Sequence, residues 1–421
     1  MAEKERLEKE EAERVLDNID NVLINGTQLI LNHVFREVGF DKIGDEILQQ
    51  PVIARLSQPA SKLGTVDYLQ SHFDEDVKLH KIYRYLDKLH STQQEKIQQI
   101  SVAHTRKRLG GRIGLVFYDV TTLYFESDYG DKLRSSGFSK EGKHSRPQVV
   151  LGVLVSAGGY PLSYSLFNGS QYEGYPMIPI VEDFVKRFEL EDFVVIANSG
   201  LMNQRNIDLL ESGGYNYIIG ARIKSENNAV KSWILSLEKK DGVFYEQDKQ
   251  GACPLIVSYF SGRAKKDAYN RDKGVKRLTK AYSSGTITKE NINKWRYNKF
   301  LELTDNVKVT INKEKISEDA QWDGLKGYLT HTTLPPEVVY EPYRDLWLIE
   351  RAYRVTKGTL EMRPVFHFTP RRIEAHVCIC FVAYKVYKEP ERVLKLSGIN
   401  LSVDKALSIA KTITTIKIKW W

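Results

Sequence analysis

Apolar positions recur at helical spacing over the first quarter of the chain and change to strand-like runs near residue 112. Lys4 to Arg14 is dense in Glu, Lys and Arg and reads as a solvated helix. Gly26 to Val38 and Thr65 to Leu89 carry helical periodicity, with Gly64-Thr65 as a helix start and Gly110-Gly111 as the end of the region. Leu115 to Phe125 is apolar, β-branched and aromatic, and predicts a buried strand. Gln148 to Ser156 is a second strand, and Gly158-Gly159 predicts a tight turn into a third, Tyr160 to Phe167. Met177 to Phe188 has helical spacing. Phe193 to Ala197 is short and wholly apolar, as a central parallel strand would be. Asn203 to Glu211 reads as a helix closed by Gly213-Gly214, and Tyr215 to Ile219 as a fifth strand.

Three antiparallel strands, a helix, a strand, a helix and a strand is the element order of a ribonuclease-H-like α/β fold. The predicted organisation has a helical N-terminal region over residues 1–109 and the first part of that domain over 110–224. A basic, strand-rich insertion over 225–325 follows. The domain's second part then spans 326–390, ahead of a C-terminal tail over 391–421. Two strong helices are expected late, over Pro342 to Lys357 and Arg371 to Tyr387.

Composition adds little until charge is mapped. Hydrophobic content of 42% and charged content of 28% describe an ordinary globular chain. No run of apolar residues is long enough to span a membrane, and the charged start Met1-Ala-Glu-Lys-Glu-Arg lacks the apolar core of a secretory signal. Cys253, Cys378 and Cys380 have no metal-ligand spacing and suggest a reducing, cytoplasmic compartment. Net charge is +8, unevenly spread: residues 1–20 carry −4, whereas residues 263–299 carry +9. Such a block is the usual footprint of a polyanion partner, with a solvated surface face as the alternative.

Two positions carry candidate chemistry. Asp119 sits in the middle of the first strand, where a charge is costly unless it is paired or binds a metal. On the late helix Tyr343, Leu346, Glu350, Tyr353 and Lys357 recur at steps of three and four and share one stripe. A Glu and a Lys there are either a structural pair at an interface or part of a site.

These segments resemble the DDE transposases of the bacterial insertion-sequence-4 group, near its insertion-sequence-1634 branch. Phe117-Tyr-Asp-Val-Thr-Thr-Leu-Tyr-Phe-Glu126 is similar to the family's first-aspartate motif, and Val195-Ile-Ala-Asn-Ser-Gly-Leu201 to its second. Tyr343, Glu350 and Lys357 match the Y-x2-R-x3-E-x6-K signature. Arg363-Pro364, His367, Arg372-Ile373 and Ala375-His376 resemble the segment after the glutamate helix. The resemblance runs from about residue 20 to about 415. It implies a catalytic, metal-binding set of Asp119, Asn198 and Glu350 that holds two Mg²⁺ or Mn²⁺ ions. These would cut and join DNA strands by phosphoryl transfer. The implied partners are double-stranded DNA, as terminal inverted repeats and target, and a second copy of the chain. A bacterial or archaeal, nucleoid-associated setting follows. Some relatives pass through a DNA hairpin.

The implied DNA contacts are Tyr343 and Lys357 near the cut and Trp295 and Arg296 in the insertion. Arg263, Lys265, Lys266, Arg271, Lys273, Lys276 and Arg277 would grip phosphates. Trp295 beside cations suits stacking on an unpaired base, while Tyr297 suits the insertion's own core. Arg222 suits a surface ion pair better than DNA, and structural roles suit His367 and His376. Lys81, Tyr83, Arg84 and Lys88 are candidates for recognising the terminal repeats.

The departures bear on activity. Asn198 stands in place of the second aspartate and Leu346 in place of the signature arginine. Ser170 and Tyr175 stand where relatives often carry Asn and His. The Trp420-Trp421 ending suggests a truncated or frameshifted copy. Asn offers one carbonyl oxygen and no charge, so the triad's formal charge drops from −3 to −2. The sequence therefore predicts a transposase with impaired catalysis, or a DNA-binding derivative without it.

Overall fold

The computed structural model describes residues 2–127, 129–137, 145–171, 177–190, 192–201, 203–249, 252–287, 296–304 and 308–419. It forms two compact units, one of residues 1–193 with 345–421 and one of residues 194–344.

The first unit begins with α1 (Ala2–Asp17), exposed and laced by the i,i+4 pairs Lys4–Glu8, Arg6–Glu10 and Lys9–Glu13. After β1 (Ile19–Leu23) come α2 (Gly26–Val38), α3 (Glu46–Ser57), α4 (Lys62–Phe73), α5 (Leu79–Lys88) and α6 (Gln94–Arg108). The single helix expected over Thr65 to Leu89 is two, because Asp74 at φ 56° turns the chain left-handed after α4. The helix start lies earlier than Gly64-Thr65. Ser61 caps it, its hydroxyl accepting the Gly64 N–H at 3.1 Å.

The meander follows as β2 (Leu115–Tyr124), β3 (Gln148–Ser156) and β4 (Pro161–Asn168), all antiparallel, with Asp119 opposite Val153. Gly158 and Gly159 have φ of 86° and 81°, the left-handed backbone that this tight three-residue turn uses, and Ser156 N–H donates to Tyr160 O across it at 2.9 Å. α7 (Met177–Phe188) packs one face, Ile180 lying directly on Gly152.

The second unit contains β5 (Val194–Ala197), α8 (Gln204–Ser212), β6 (Asn216–Ala221), α9 (Asn228–Ser236), β7 (Phe244–Lys249) and β8 (Ala252–Tyr259). It continues through α10 (Ser261–Ser283), β9 (Leu301–Thr304), β10 (Lys308–Ile311), α11 (Lys313–Ala320), β11 (Leu325–Thr330) and α12 (Pro336–Arg344). Its main sheet runs β5-β6-β11-β8-β7, parallel between β5 and β6 and antiparallel beyond. The element order expected over 115–221 is thus present. The strand expectation across 225–325 fails at the basic block, which lies largely on the 23-residue helix α10. Lys, Arg and Ala favour a helix there, and an apolar edge at Val275 and Leu278 packs on Phe300 and Leu301 beside the β9–β10 hairpin.

The chain then returns to the first unit through α13 (Trp347–Arg354), α14 (Pro370–Leu396), α15 (Val403–Ala410) and β12 (Thr415–Ile418), which pairs antiparallel with β1. α14 is buried from Ala375 to Glu389 and carries two fully buried ionisable side chains, Lys385 and Glu389. Lys385 Nζ donates to Ser101 O at 2.9 Å and to the Thr105 hydroxyl. Glu389 accepts the Tyr160 hydroxyl at 2.8 Å and pairs with Arg392 at 2.9 Å and Arg108 at 3.1 Å. His104 lies 3.6 Å from Glu389 and accepts from Arg108, so its ring is neutral; burial lowers its pKa to about 4. Among the described residues no helix is long and apolar enough to cross a membrane.

Removing one partner of such a buried network leaves the others unpaired, at about 3–5 kcal/mol. Glu389→Ala should lower the unfolding free energy of the full chain by that order in denaturant titration; a loss near the ~0.5 kcal/mol of surface changes would refute the role. A second expectation concerns pH. His104 and His367 are both held down to about 4 against an ordinary 6.5, chiefly by burial. The unfolded chain binds their protons first, so stability should fall as pH drops from 6.5 towards 4. Urea midpoints across that range test this, with His104→Gln expected to flatten the slope.

Candidate active site

Asp119 is 8% exposed, in the middle of β2. Side chains alternate along a strand, so Asp119 and Thr121 share a face. α13 and the turn after it are fastened to that face. The Tyr353 hydroxyl donates to Asp119 O at 2.7 Å and also reaches Leu151 O at 3.3 Å. Lys357 Nζ donates to the Thr121 hydroxyl and to Thr122 O at 3.2 Å. Four helical residues rise about 6 Å and two strand residues about 6.6 Å, so Tyr353 and Lys357 keep step with Asp119 and Thr121. Glu350 stands one turn earlier than Tyr353, on the same side of α13. It is exposed, and among the described residues it makes no hydrogen bond or ion pair. The structural Glu350–Lys357 pair that the spacing allowed is therefore not formed.

The helix expected over Pro342 to Lys357 is a correction. α12 ends at Arg344, α13 starts at Trp347, and Val355–Thr359 is a π-helical turn. Tyr343 is claimed by a different surface from Glu350. Its ring packs edge-on against Tyr328 at 4.8 Å, Lys326 lies 4.8 Å over it, and its hydroxyl sits against Gly220, where any side chain would collide. It is buried in the second unit rather than displayed on the Glu350 stripe. The π turn delivers Lys357 to β2, a widening often found at functional positions.

Asn198 directly follows β5, the place expected of the second acid, and lies in the second unit. Its Oδ1 accepts the Gly200 N–H at 2.8 Å. Arg222 closes the same turn, donating to Ser199 O at 2.8 Å and Gly200 O at 3.1 Å. That backbone clamp replaces the surface ion pair expected of Arg222. Its signal was available only in three dimensions, since 22 residues separate Arg222 from Gly200.

The basic candidates divide. Arg271 is buried and makes a bidentate pair with Asp323 at 2.5 and 2.7 Å, so it braces the insertion and is not displayed for phosphate. Arg263, Lys265, Lys266, Lys273, Lys276 and Arg277 are exposed on α10. At 100° per residue, the last five and Lys280 fall on the side opposite Arg271, Gly274 and Leu278. Exposed Tyr269 stands among them, with Lys273 5.9 Å over its ring. Tyr297 packs on Gly274 in the small core, as expected. Arg296 opens a short 3-10 turn, Arg296–Phe300. Trp295, Tyr175, Trp420 and Trp421 lie outside the described residues.

The donor set suits a hard divalent ion in kind and falls short in number. Asp119 and Glu350 supply carboxylates, but Asn198 supplies one neutral carbonyl oxygen that already accepts an N–H. Among the described residues no three His, Cys, Asp or Glu side chains group closely enough to hold a metal.

The family model described as the transposase DDE domain matches residues 110–385. Among solved structures, a piggyBac transposase synaptic complex with hairpin DNA is similar with a TM-score of 0.43 and 11% identity, over 86% of this chain and 68% of that one. A Mos1 transposase paired-end complex with left transposon end is similar with a TM-score of 0.19 and 11% identity, over 41% and 58%. No curated protein matches the chain. The matched segment spans well over half of the sequence and includes Asp119, Asn198 and Glu350, and the chain belongs to the transposase DDE-domain family.

Proposed function

We propose that this protein is an insertion-sequence transposase of the insertion-sequence-4 group that binds terminal inverted repeats as a homodimer, and that Asn198 impairs its catalysis. The observation that carries the reading is the exposed Glu350 carboxylate on a helix that Tyr353 and Lys357 fasten to the Asp119 strand. Asp119 and Glu350 would hold Mg²⁺ or Mn²⁺, which when bound activates a water or 3′-hydroxyl and stabilises the leaving oxygen. Tyr353 fixes the carbonyl of Asp119 and so the direction of its side chain. Lys357 brings positive charge beside that carboxylate on the same strand face. The exposed cations of α10 would track a DNA backbone and supply salt-dependent, sequence-independent affinity. Asn198 lowers the negative charge available to a divalent ion and costs rate, since electrostatic terms dominate phosphoryl transfer.

A second reading, a DNA-binding protein without catalysis, is favoured by Asn198 itself. One experiment separates the two: strand cleavage on the element's own ends with Mg²⁺ or Mn²⁺. Asn198→Asp should raise the cleavage rate by about 10²–10³, the worth of one preorganised charge-stabilising group. Asp119→Asn in that background should abolish the gain. Tight binding with no cleavage by Asn198→Asp would favour the second reading, and full activity of the unaltered chain would refute the impairment.

The α10 surface yields a separate expectation. Alanine at Lys265, Lys266, Lys273, Lys276 and Arg277 should flatten the dependence of log affinity on log salt, by about one for each of these cations that grips a phosphate. Arg271→Ala should instead lower stability. Filter binding across a salt series and thermal unfolding check both.

A further inference from the structure

The segment that follows Glu350 closes over the corner between α3 and α4 to make a cavity of about 220 Å³. That is below the roughly 300–1,000 Å³ of sites for drug-sized ligands. Its lining carries the guanidiniums of Arg55 and Arg363 and the amine of Lys62, beside His367 and His376, which burial holds neutral, with Glu361 as the carboxylate. Arg55 spends one guanidinium nitrogen on the carbonyls of Leu360, at 2.8 Å, and Glu361, at 3.3 Å, which shapes the wall.

Two of these side chains are buried with a polar atom unanswered among the described residues. Lys62 is 8% exposed, and among the described residues its ammonium has no hydrogen bond or ion pair. His376 is 5% exposed; its Nε2 lies 3.0 Å from Met362 O, and its Nδ1 has no partner. His376 is held neutral by burial, so the unpaired group that calls for a counter-ion is the Lys62 amine, whose charge is costly here without one. The first turn of α4 lies in the same wall at Ser61 and Lys62, and helix first turns offer free N–H groups and the positive end of the dipole.

We infer that this cavity is a binding site for a phosphate group, with Lys62 as its principal charge partner and the α4 first turn as its cradle. Several donors around a small volume suit a tetrahedral oxyanion of more than one acceptor oxygen. Burial beside Arg55 lowers the Lys62 ammonium to about 7, and a bound anion would restore its charge. The site lies wholly within the first unit and is independent of whether Asn198 permits catalysis. The phosphate is either one of the DNA backbone or free inorganic phosphate.

The test uses the full chain. Thermal unfolding in inorganic phosphate should exceed that in chloride at matched ionic strength by a few degrees, about what ligand linkage gives for a millimolar site. Lys62→Met should lose that difference. Because Lys62→Met could misfold, acetylation of Lys62 in the unaltered protein, read by mass spectrometry, provides a second measurement. Phosphate or a DNA duplex should protect it several-fold relative to chloride. Protection by duplex, with about tenfold weaker duplex binding by Lys62→Met, assigns the site to a backbone phosphate. Protection by inorganic phosphate alone assigns it to the free ion. No thermal difference and no protection by either overturns the inference.

Discussion

The first unit depends on two ionisable side chains that water never reaches. Lys385 and Glu389 lie one helical turn apart on α14, and each is satisfied by elements distant in sequence. Lys385 is held by α6 through Ser101 and Thr105, and Glu389 by the hairpin residue Tyr160 and by Arg108 of α6. An apolar helix could slide or rotate in its socket with little loss. A helix carrying these groups has one seating, because every other position leaves a buried charge unanswered. The seating of α14 in turn sets the Glu361–His367 segment, the cationic cavity and the support beneath α13.

The site follows from this arrangement. α13 is short, and Tyr353 within it and Lys357 just after it hold it to the meander through carbonyls and a hydroxyl of β2 and β3. Asp119 is placed by strand pairing and Glu350 by these fasteners. The turn after β5 is placed separately, by Asn198 bonding to Gly200 and by the Arg222 clamp. Asp119 and Glu350 are thus positioned by devices far apart in sequence, which is why no single sequence window shows them together.

The strands were legible because burial writes itself into composition. β3 and α7 match the predicted bounds, and Asp119 stood out as a lone charge in an apolar run. What periodicity concealed were changes of direction. Asp74 in a left-handed conformation splits one helical pattern, and the break between Arg344 and Trp347 splits another, although both patterns continue unbroken in the sequence. The apolar stripe through Tyr343 and Glu350 looked continuous because each half is amphipathic against a different partner. Charge misled for a related reason. Arg271 counts as one cation among twelve in the basic block, yet Asp323, fifty-two residues later, claims it entirely. Composition counts charges, whereas only folding shows which are already spent.

The pairing of β1 with β12 has a consequence for how the protein is made. Val22 lies opposite Ile416, so β1 leaves the ribosome long before its partner strand. At roughly 5–20 residues per second, β1 waits about 20–80 s for that partner. The second unit is interposed between the two parts of the first and can assemble within that interval. Closure of the first unit therefore waits until β12 has been made, and until then β1 is an open edge available to other chains.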